Sequence, residues 1–456
     1  MNTKIKKFMG SVMSISLFLI TLTNSAIYAD TSYTPPFNVE CQGAYLVNLD
    51  TGTVVYEKNK DKKIEPASLV KIQTAVVALE TIKNIDETTV TAQKHIFDEL
   101  YGKNGATAGI VKGETLTVRQ LLACMLIQSG CEAASMLADA VCPNDPTSFT
   151  AKMNARAKSL GAKNTNFINP HGLHEPHQYS SAYDMFLMAK HAMSLPAFMD
   201  IVSETSYRIP ATNKRDSFEV YTTIDPMKKT SQYYYPPIRG IKTGTEESGR
   251  SFVSTATKDG FSYICCVLGA PYKDEKTNKV IPGNKAFEVT NKLYQWAFEN
   301  FKIKTILTAN TPVTETKLKY VFNKDHLKVS IEKDVSALVP KNLDITKIKK
   351  IYNLPAQVAA PIKKGDVLGT VKLCLGTNTI SESNLVAFET VTRNWFLYLL
   401  DIVCNLFGFV AFKIFTIILI LCILIFILIA ISRKTHRNNK LNYKRKRKKT
   451  NPYKKR

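Results

Sequence analysis

The chain alternates between long apolar runs and short polar breaks, and the period of each run names the element it predicts. Leu69, Val70, Ile72, Ala75, Val76, Val77, Ala78, Leu79 and Ile82 make one stretch apolar nearly all round, predicting a buried helix with its start signal at Pro66. Ahead of it, Gly43–Leu49 and Thr53–Tyr56 flank Asp50-Thr51-Gly52, two β-rich runs about a turn and so a hairpin. Thr117 and Gln120 form a capping-box start for a second helix through Leu121, Leu122, Met125, Leu126 and Ile127. That pattern breaks at Ser129-Gly130-Cys131 and resumes through Ala133, Met136, Leu137 and Val141, so Ser129 is presented on a loop between helices. Gly240–Thr245, Ser251–Ala256 and Tyr263–Gly269 read as paired strands, with a turn at Lys258-Asp259-Gly260. From about Lys304 the runs shorten and alternate, as in Lys317–Phe322, Leu327–Ile331 and Ala360–Leu373, which predicts a small antiparallel β-domain over 304–392. Lys363-Lys364-Gly365-Asp366 has the look of a lipoyl-type hairpin, but no modifiable lysine follows at a suitable second turn.

The two ends carry membrane signals. Lys4, Lys6 and Lys7 precede a mostly apolar run from Phe8 to Leu22, and Ala29 offers a small residue at a cut point, so 1–29 reads as a signal peptide. Ile414–Ile431 is 18 residues without a charge between Lys413 and Arg433, a transmembrane helix placed at 414–432. Residues 433–456 hold 13 Lys and Arg and no acid. By the positive-inside rule this tail is cytoplasmic, and everything between signal and span is extracytoplasmic.

Charge and cysteine narrow the picture further. The formal charge of +23 over 456 residues suggests nucleic acid, yet outside the two ends 45 basic face 38 acidic side chains, so no nucleic-acid partner is expected. Nine cysteines are too few and too scattered for a disulfide framework in so long a chain, and they read mostly as small buried hydrophobes.

Ser68 and Lys71, three residues apart at the helix start, share one face. A serine hydroxyl attacks acyl carbon only when a neighbouring base takes its proton, and a lysine serves once burial lowers its pKa. A Ser-x-x-Lys alone carries little weight in a lysine-rich chain; the other motifs must support it. Asn169–His177 holds His171, His174, His177 and Glu175, an apparent zinc set, but Pro170, Gly172 and Pro176 break any helical presentation. A structured loop at the rim of a site is expected there, with no metal and no organic cofactor.

Ser68-Leu69-Val70-Lys71, then Ser129-Gly130-Cys131, then Lys242-Thr243-Gly244, in that order, resemble the three motifs of penicillin-binding proteins and serine β-lactamases. Pro66-Ala67-Ser68-Leu69, Asn169-Pro170 with Gly172-Leu173, and Gly240-Ile241-Lys242-Thr243-Gly244 resemble the low-molecular-mass D-alanyl-D-alanine carboxypeptidases. The resemblance implies an α/β (α+β) transpeptidase-like fold: an antiparallel sheet covered by helices, with a helical subdomain from about 90 to 200. It places the catalytic domain at 30–303 and the small all-β domain after it, and suggests a membrane-interface segment at 393–413, where Asp401 and Asn405 interrupt Leu, Phe and Tyr. It implies a serine-type carboxypeptidase acting on peptidoglycan stem peptides and acylated by β-lactam antibiotics. Ser68 would be the nucleophile, Lys71 its base and Ser129 the relay to the leaving amine. Lys242 would add positive field, Thr243 would hold the substrate carboxylate, and the backbone N–H groups of Ser68 and Thr245, beyond Gly244, would form the oxyanion hole. D,D-endopeptidase or β-lactamase action at the same serine, and slow penicillin binding without turnover, are the alternatives. Cys131 stands where the family's second motif normally ends in asparagine, and the stretch from Gly244 to Ser248-Gly249 is one residue shorter than usual.

Overall fold

The computed structural model describes residues 33–449 apart from 275, 377 and 409. The expected signal peptide and the last seven residues of the basic tail lie outside the described residues.

In chain order, β1 (Gly43–Asn48) and β2 (Val54–Lys58) lead through a 3-10 turn at Ala67–Leu69 into α1 (Val70–Thr81). Then come β3 (Thr89–Thr91), α2 (Lys94–Leu100), β4 (Thr115–Thr117), α3 (Val118–Leu126), α4 (Cys131–Val141), α5 (Pro146–Ser159), α6 (Ala182–Ala192) and α7 (Phe198–Val202). A short hairpin, β5 (Ser206–Ile209) and β6 (Phe218–Tyr221), precedes β7 (Ile238–Glu246), β8 (Gly249–Lys258), β9 (Phe261–Ala270) and α8 (Lys285–Asn300). The remainder is β10 (Phe301–Leu307), β11 (Thr314–Lys319), β12 (His326–Ile331), β13 (Val335–Pro340), β14 (Lys349–Asn353), β15 (Gln357–Ala359), β16 (Val367–Leu375), β17 (Asn378–Ala387), α9 (Trp395–Gly408) and α10 (Val410–Lys449). Two compact units result. One runs to Leu307 and takes in Asp334–Ile351 and Lys372–Glu382; the other comprises Thr308–Lys333, Tyr352–Val371 and the chain from Ser383.

The first unit is built on a five-stranded antiparallel sheet in the order β2-β1-β9-β8-β7. Both faces are covered, so its strands are apolar at successive positions, and the alternation of side chains sorts them. Tyr45 and Val47 join the core that contains α1 and α6, whereas Ala44 and Leu46 join the core of Phe287, Leu293 and Tyr294 on α8. Helix α1 is apolar all round because it is central: Val70 to Ala78 are all buried, and α3, α4, α5 and α6 pack about it. The capping box at Thr117 and Gln120 forms as the sequence requires, and α3 ends before Ser129. The hairpin between β7 and β8 is closed by the pair Glu246 and Gly249, leaving Glu247 and Ser248 as its turn, which accommodates the short stretch after Gly244.

The second unit is β-rich with its own small core of Leu318, Leu327, Ala360, Ile362, Ala387 and Val391. Its pairing is not purely antiparallel as expected. β11 pairs with β12 antiparallel but with β15 parallel, Lys317 opposite Gln357. Residues 320–356 supply the long connection that parallel neighbours require. Helix α9 is fastened to this unit: Tyr320 donates to the Asp401 carboxylate (2.7 Å), and the Arg393 guanidinium lies over the Tyr398 ring at 4.2 Å. Its other side leaves Trp395, Phe396, Leu399 and Leu400 exposed. α10 is long and apolar enough to cross a membrane, and it continues through the basic segment to Lys449, since lysine and arginine are good helix formers.

Candidate active site

The nucleophile candidate does not sit in an α-helix. Ser68 occupies the 3-10 turn that runs into α1, so the side chain is presented at the mouth of the helix while Lys71 lies one turn inside it. Ala67 at φ 51° and Ser129 at φ 70° both adopt the left-handed region, a strain of about 1–3 kcal/mol each that persists only where the surroundings over-determine the backbone. The surroundings at Ala67 are tight. A Cβ on Gly172, itself at φ +82°, would lie 2.1 Å from the Ala67 carbonyl oxygen, and one on Gly244 would lie 2.9 Å from the Pro66 carbonyl oxygen. Only glycine lets the loop and strand β7 close on the turn from two sides.

Lys71 is wholly buried, and its amine donates to Ser68 Oγ (3.0 Å), to Cys131 Sγ (3.6 Å) and to the His171 carbonyl. Burial pushes its pKa below the ordinary lysine value, opposed by Cys131, Glu132 and Glu246. Lys242, also wholly buried, donates to Ser129 Oγ (3.0 Å) and to the Thr243 carbonyl (3.2 Å). Burial first, then the neighbouring Lys71 charge, hold it well below the usual range. Two desolvated amines beside each other each disfavour the charged form of the other.

All the residues singled out from sequence therefore converge. Ser68, Lys71 and Cys131 form one hydrogen-bonded set and Ser129 and Lys242 a second, the two close enough for the Lys71 charge to act on Lys242. Thr243 and Gly244 continue the strand past the Ser68 turn, and Thr245 lies exposed beyond them. Cys131, the departure from the usual motif, contacts the Lys71 amine itself.

Other participants escaped the sequence. Thr223, between β6 and β7, places its hydroxyl 2.7 Å from that of Thr243. Glu132 is buried behind the Ser129 loop, where its carboxylate accepts from Thr107 Oγ1 and the Ala108 N–H, both at 2.7 Å. An acid directly after the second motif, in the first turn of a mostly apolar helix, was the one signal that could have revealed it. The histidine-rich loop does border the site, and it does so through backbone: the His171 carbonyl, not its ring, meets Lys71. Its histidine rings go separate ways, His171 to Glu99 and His174 to Glu65, and no group of three His, Cys, Asp or Glu placed to hold a metal occurs among the described residues.

Comparison with known proteins agrees with this geometry. The profile of the family described as D-alanyl-D-alanine carboxypeptidase matches residues 29–272, and that of the penicillin-binding protein 5 C-terminal domain matches 301–393. A relative from Bacillus subtilis, the D-alanyl-D-alanine carboxypeptidase DacF, is 29% identical over 390 residues, covering 85% of this chain and 95% of its own. Among solved structures, penicillin-binding protein 5 from Haemophilus influenzae is 28% identical with a TM-score of 0.63, covering 79% of this chain and 100% of that one. A Streptomyces DD-transpeptidase is 28% identical with a TM-score of 0.52, covering 59% of this chain and 100% of that one. With the first profile spanning more than half of its length and the three motifs assembled about Ser68, the chain belongs to the D-alanyl-D-alanine carboxypeptidase family.

Proposed function

We propose that this chain is a membrane-tethered serine D,D-carboxypeptidase that removes the terminal D-alanine of peptidoglycan stem pentapeptides. The observation that carries the reading is the pairing of two buried amines with two serines, Lys71 on Ser68 and Lys242 on Ser129. Neutral Lys71 takes the proton of Ser68 as its oxygen attacks the carbonyl of the D-Ala-D-Ala bond. The oxyanion is held by the N–H groups of Ser68 and Thr245, a contribution of about 3–4 kcal/mol per donor. The proton now on Lys71 passes through the Ser129 hydroxyl, which gives one and takes one, to the leaving D-alanine amine, and water then hydrolyses the acyl-enzyme. The hydroxyls of Thr243 and Thr223 receive the substrate's terminal carboxylate, and that anion favours the charged form of Lys242. Every step uses groups of this chain and water. A β-lactam, which offers a strained acyl group to the same serine, forms the corresponding adduct and stays.

The apolar helix α10 serves as a single C-terminal span, with the catalytic domain on the extracytoplasmic face and the basic tail inside. The exposed apolar side of α9 lies at the membrane interface.

Mass spectrometry of the purified protein with a defined pentapeptide tests the reading. Loss of one alanine, and a benzylpenicillin adduct mapped to Ser68, are the expected results; an adduct elsewhere, or none, ends it. Capture of the same acyl-enzyme by an amine is transpeptidation, the reaction in the name of one structural neighbour. Adding an acceptor amine to the assay, and offering a cross-linked dimer, separates hydrolysis, transfer and endopeptidase action.

A further inference from the structure

A neutral primary amine has two N–H bonds and one lone pair. For Lys71 to act as base toward Ser68, that lone pair must face Ser68 Oγ, so both hydrogens must be taken by other acceptors. Two are present, Cys131 Sγ and the His171 carbonyl. A thiol sulfur is a weak acceptor, so the carbonyl decides how the amine is turned.

That carbonyl is held from behind. Asn169 Oδ1 accepts from the Gly172 N–H (2.6 Å), and Asn169 Nδ2 donates to the Leu173 carbonyl (2.9 Å). The Leu173 N–H donates to His171 Nδ1 at 3.2 Å. A ring nitrogen that accepts carries no hydrogen, so the neutral imidazole holds its proton on Nε2, and Nε2 donates to Glu99 Oε1 at 3.0 Å. The His171 side chain is wholly inaccessible. Its burial favours the neutral ring; Glu99 faces it as an anion, Lys103 as a cation, and Lys71 adds a second cation only when protonated. Burial pushes Glu99 upward, but its hydrogen bond from His171 and the nearby charges outweigh that and leave it below the usual carboxylate range.

Glu99 is also locally out of place. It is the penultimate residue of α2, where the negative end of the helix dipole disfavours an acid. A local rule broken without local gain points to a tertiary purpose.

We propose that Glu99 is a positioning residue for acylation: through His171 it fixes the carbonyl that turns the Lys71 lone pair onto Ser68. The inference rests on the carboxypeptidase reading above. Its test is stopped-flow acylation of the full-length protein by a fluorescent penicillin, with the limiting rate and the encounter constant separated, alongside thermal unfolding. Glu99→Ala is expected to lower the limiting acylation rate about tenfold while the encounter constant stays as in the wild type, since the loss is one of orientation behind the base. Glu99→Gln keeps an acceptor oxygen and is expected to remain within about twofold. Glu99→Asp withdraws the acceptor by one methylene and falls between them, which keeps the idea testable if the alanine variant does not fold. Glutamine falling as far as alanine, or alanine and aspartate changing only the thermal midpoint, overturns the inference. A wild-type protein that takes no penicillin on Ser68 overturns the carboxypeptidase reading and this inference with it.

Discussion

Lys242 on strand β7 donates to Ser129 Oγ across 3.0 Å, joining residues 113 positions apart from opposite walls of the site. The bond fixes a hydroxyl that a left-handed backbone already holds out of both flanking helices. Lys242→Gln shortens the side chain and removes the cation, so kcat for D-alanine release should fall by about two to three powers of ten, as when a positioned electrostatic donor is lost. Steady-state kinetics with pentapeptide check this. Retention of more than a tenth of the wild-type kcat would remove Lys242 from the mechanism.

The pH profile carries a second expectation. Lys71 has its pKa lowered by burial, and Glu246 is among the anions that pull it back up. Acylation should rise with pH as Lys71 loses its proton, with an acid limb below the ordinary lysine range. Glu246→Gln removes an anion, disfavours the ammonium, lowers the pKa of Lys71 further and moves that limb to lower pH. A limb that moves to higher pH, or that Glu246→Gln leaves unmoved, contradicts the assignment of Lys71 as base.

Cys131 meets the same amine with a thiol where the family normally offers an amide. A hydrogen bond to a charged group contributes about 1.5–3 kcal/mol, so Cys131→Asn should raise kcat/KM for D-alanine release by about one to two powers of ten. Space is the constraint. A Cβ on Gly105 would already lie 3.1 Å from Cys131 Sγ, and Leu173 closes in on the same spot. If Cys131→Ala equals the wild type and Cys131→Asn brings no gain, the thiol is packing.

Gly172→Ala should be the most damaging small substitution in the loop. Its methyl would fall 2.1 Å from the Ala67 carbonyl oxygen at a φ that alanine rarely adopts, so the loop or the Ser68 turn must move. Strain alone amounts to about 1–3 kcal/mol, and thermal unfolding with the penicillin acylation rate should both register the change. A variant with wild-type acylation would show that the loop does not define the nucleophile's position.

What the sequence revealed was what depends on neighbours in the chain. The capping box at Thr117 and Gln120, the hairpin about Thr51 and the Ser68–Lys71 pair follow from spacing, and all are present. What it concealed depends on convergence. Thr223 reaches Thr243 across 20 residues, Glu99 reaches His171 across 72, and the His171 contact with Lys71 is made by a carbonyl that every residue type possesses. The placement of Ser68 on a 3-10 turn rather than an α-helix was likewise invisible, because Ser-x-x-Lys spacing suits both. The parallel pairing of β15 with β11 leaves no periodic trace, since one strand of three residues alternates too briefly to show its partner.

Cys265 and Cys266 point to opposite faces of the central sheet and lie in different cores. Their thiols are wholly buried, and burial drives both pKa values upward, as it drives that of Cys124 to about 12. The thiolate is the form that reacts with oxidants and attacks disulfides, so the folded sheet withholds its sulfur from the surroundings. Vulnerability is thereby a matter of timing. Between emergence of the chain and closure of the sheet these thiols are ordinary ones, and a chain that folds slowly in an oxidising medium gives mispaired product in proportion to that interval.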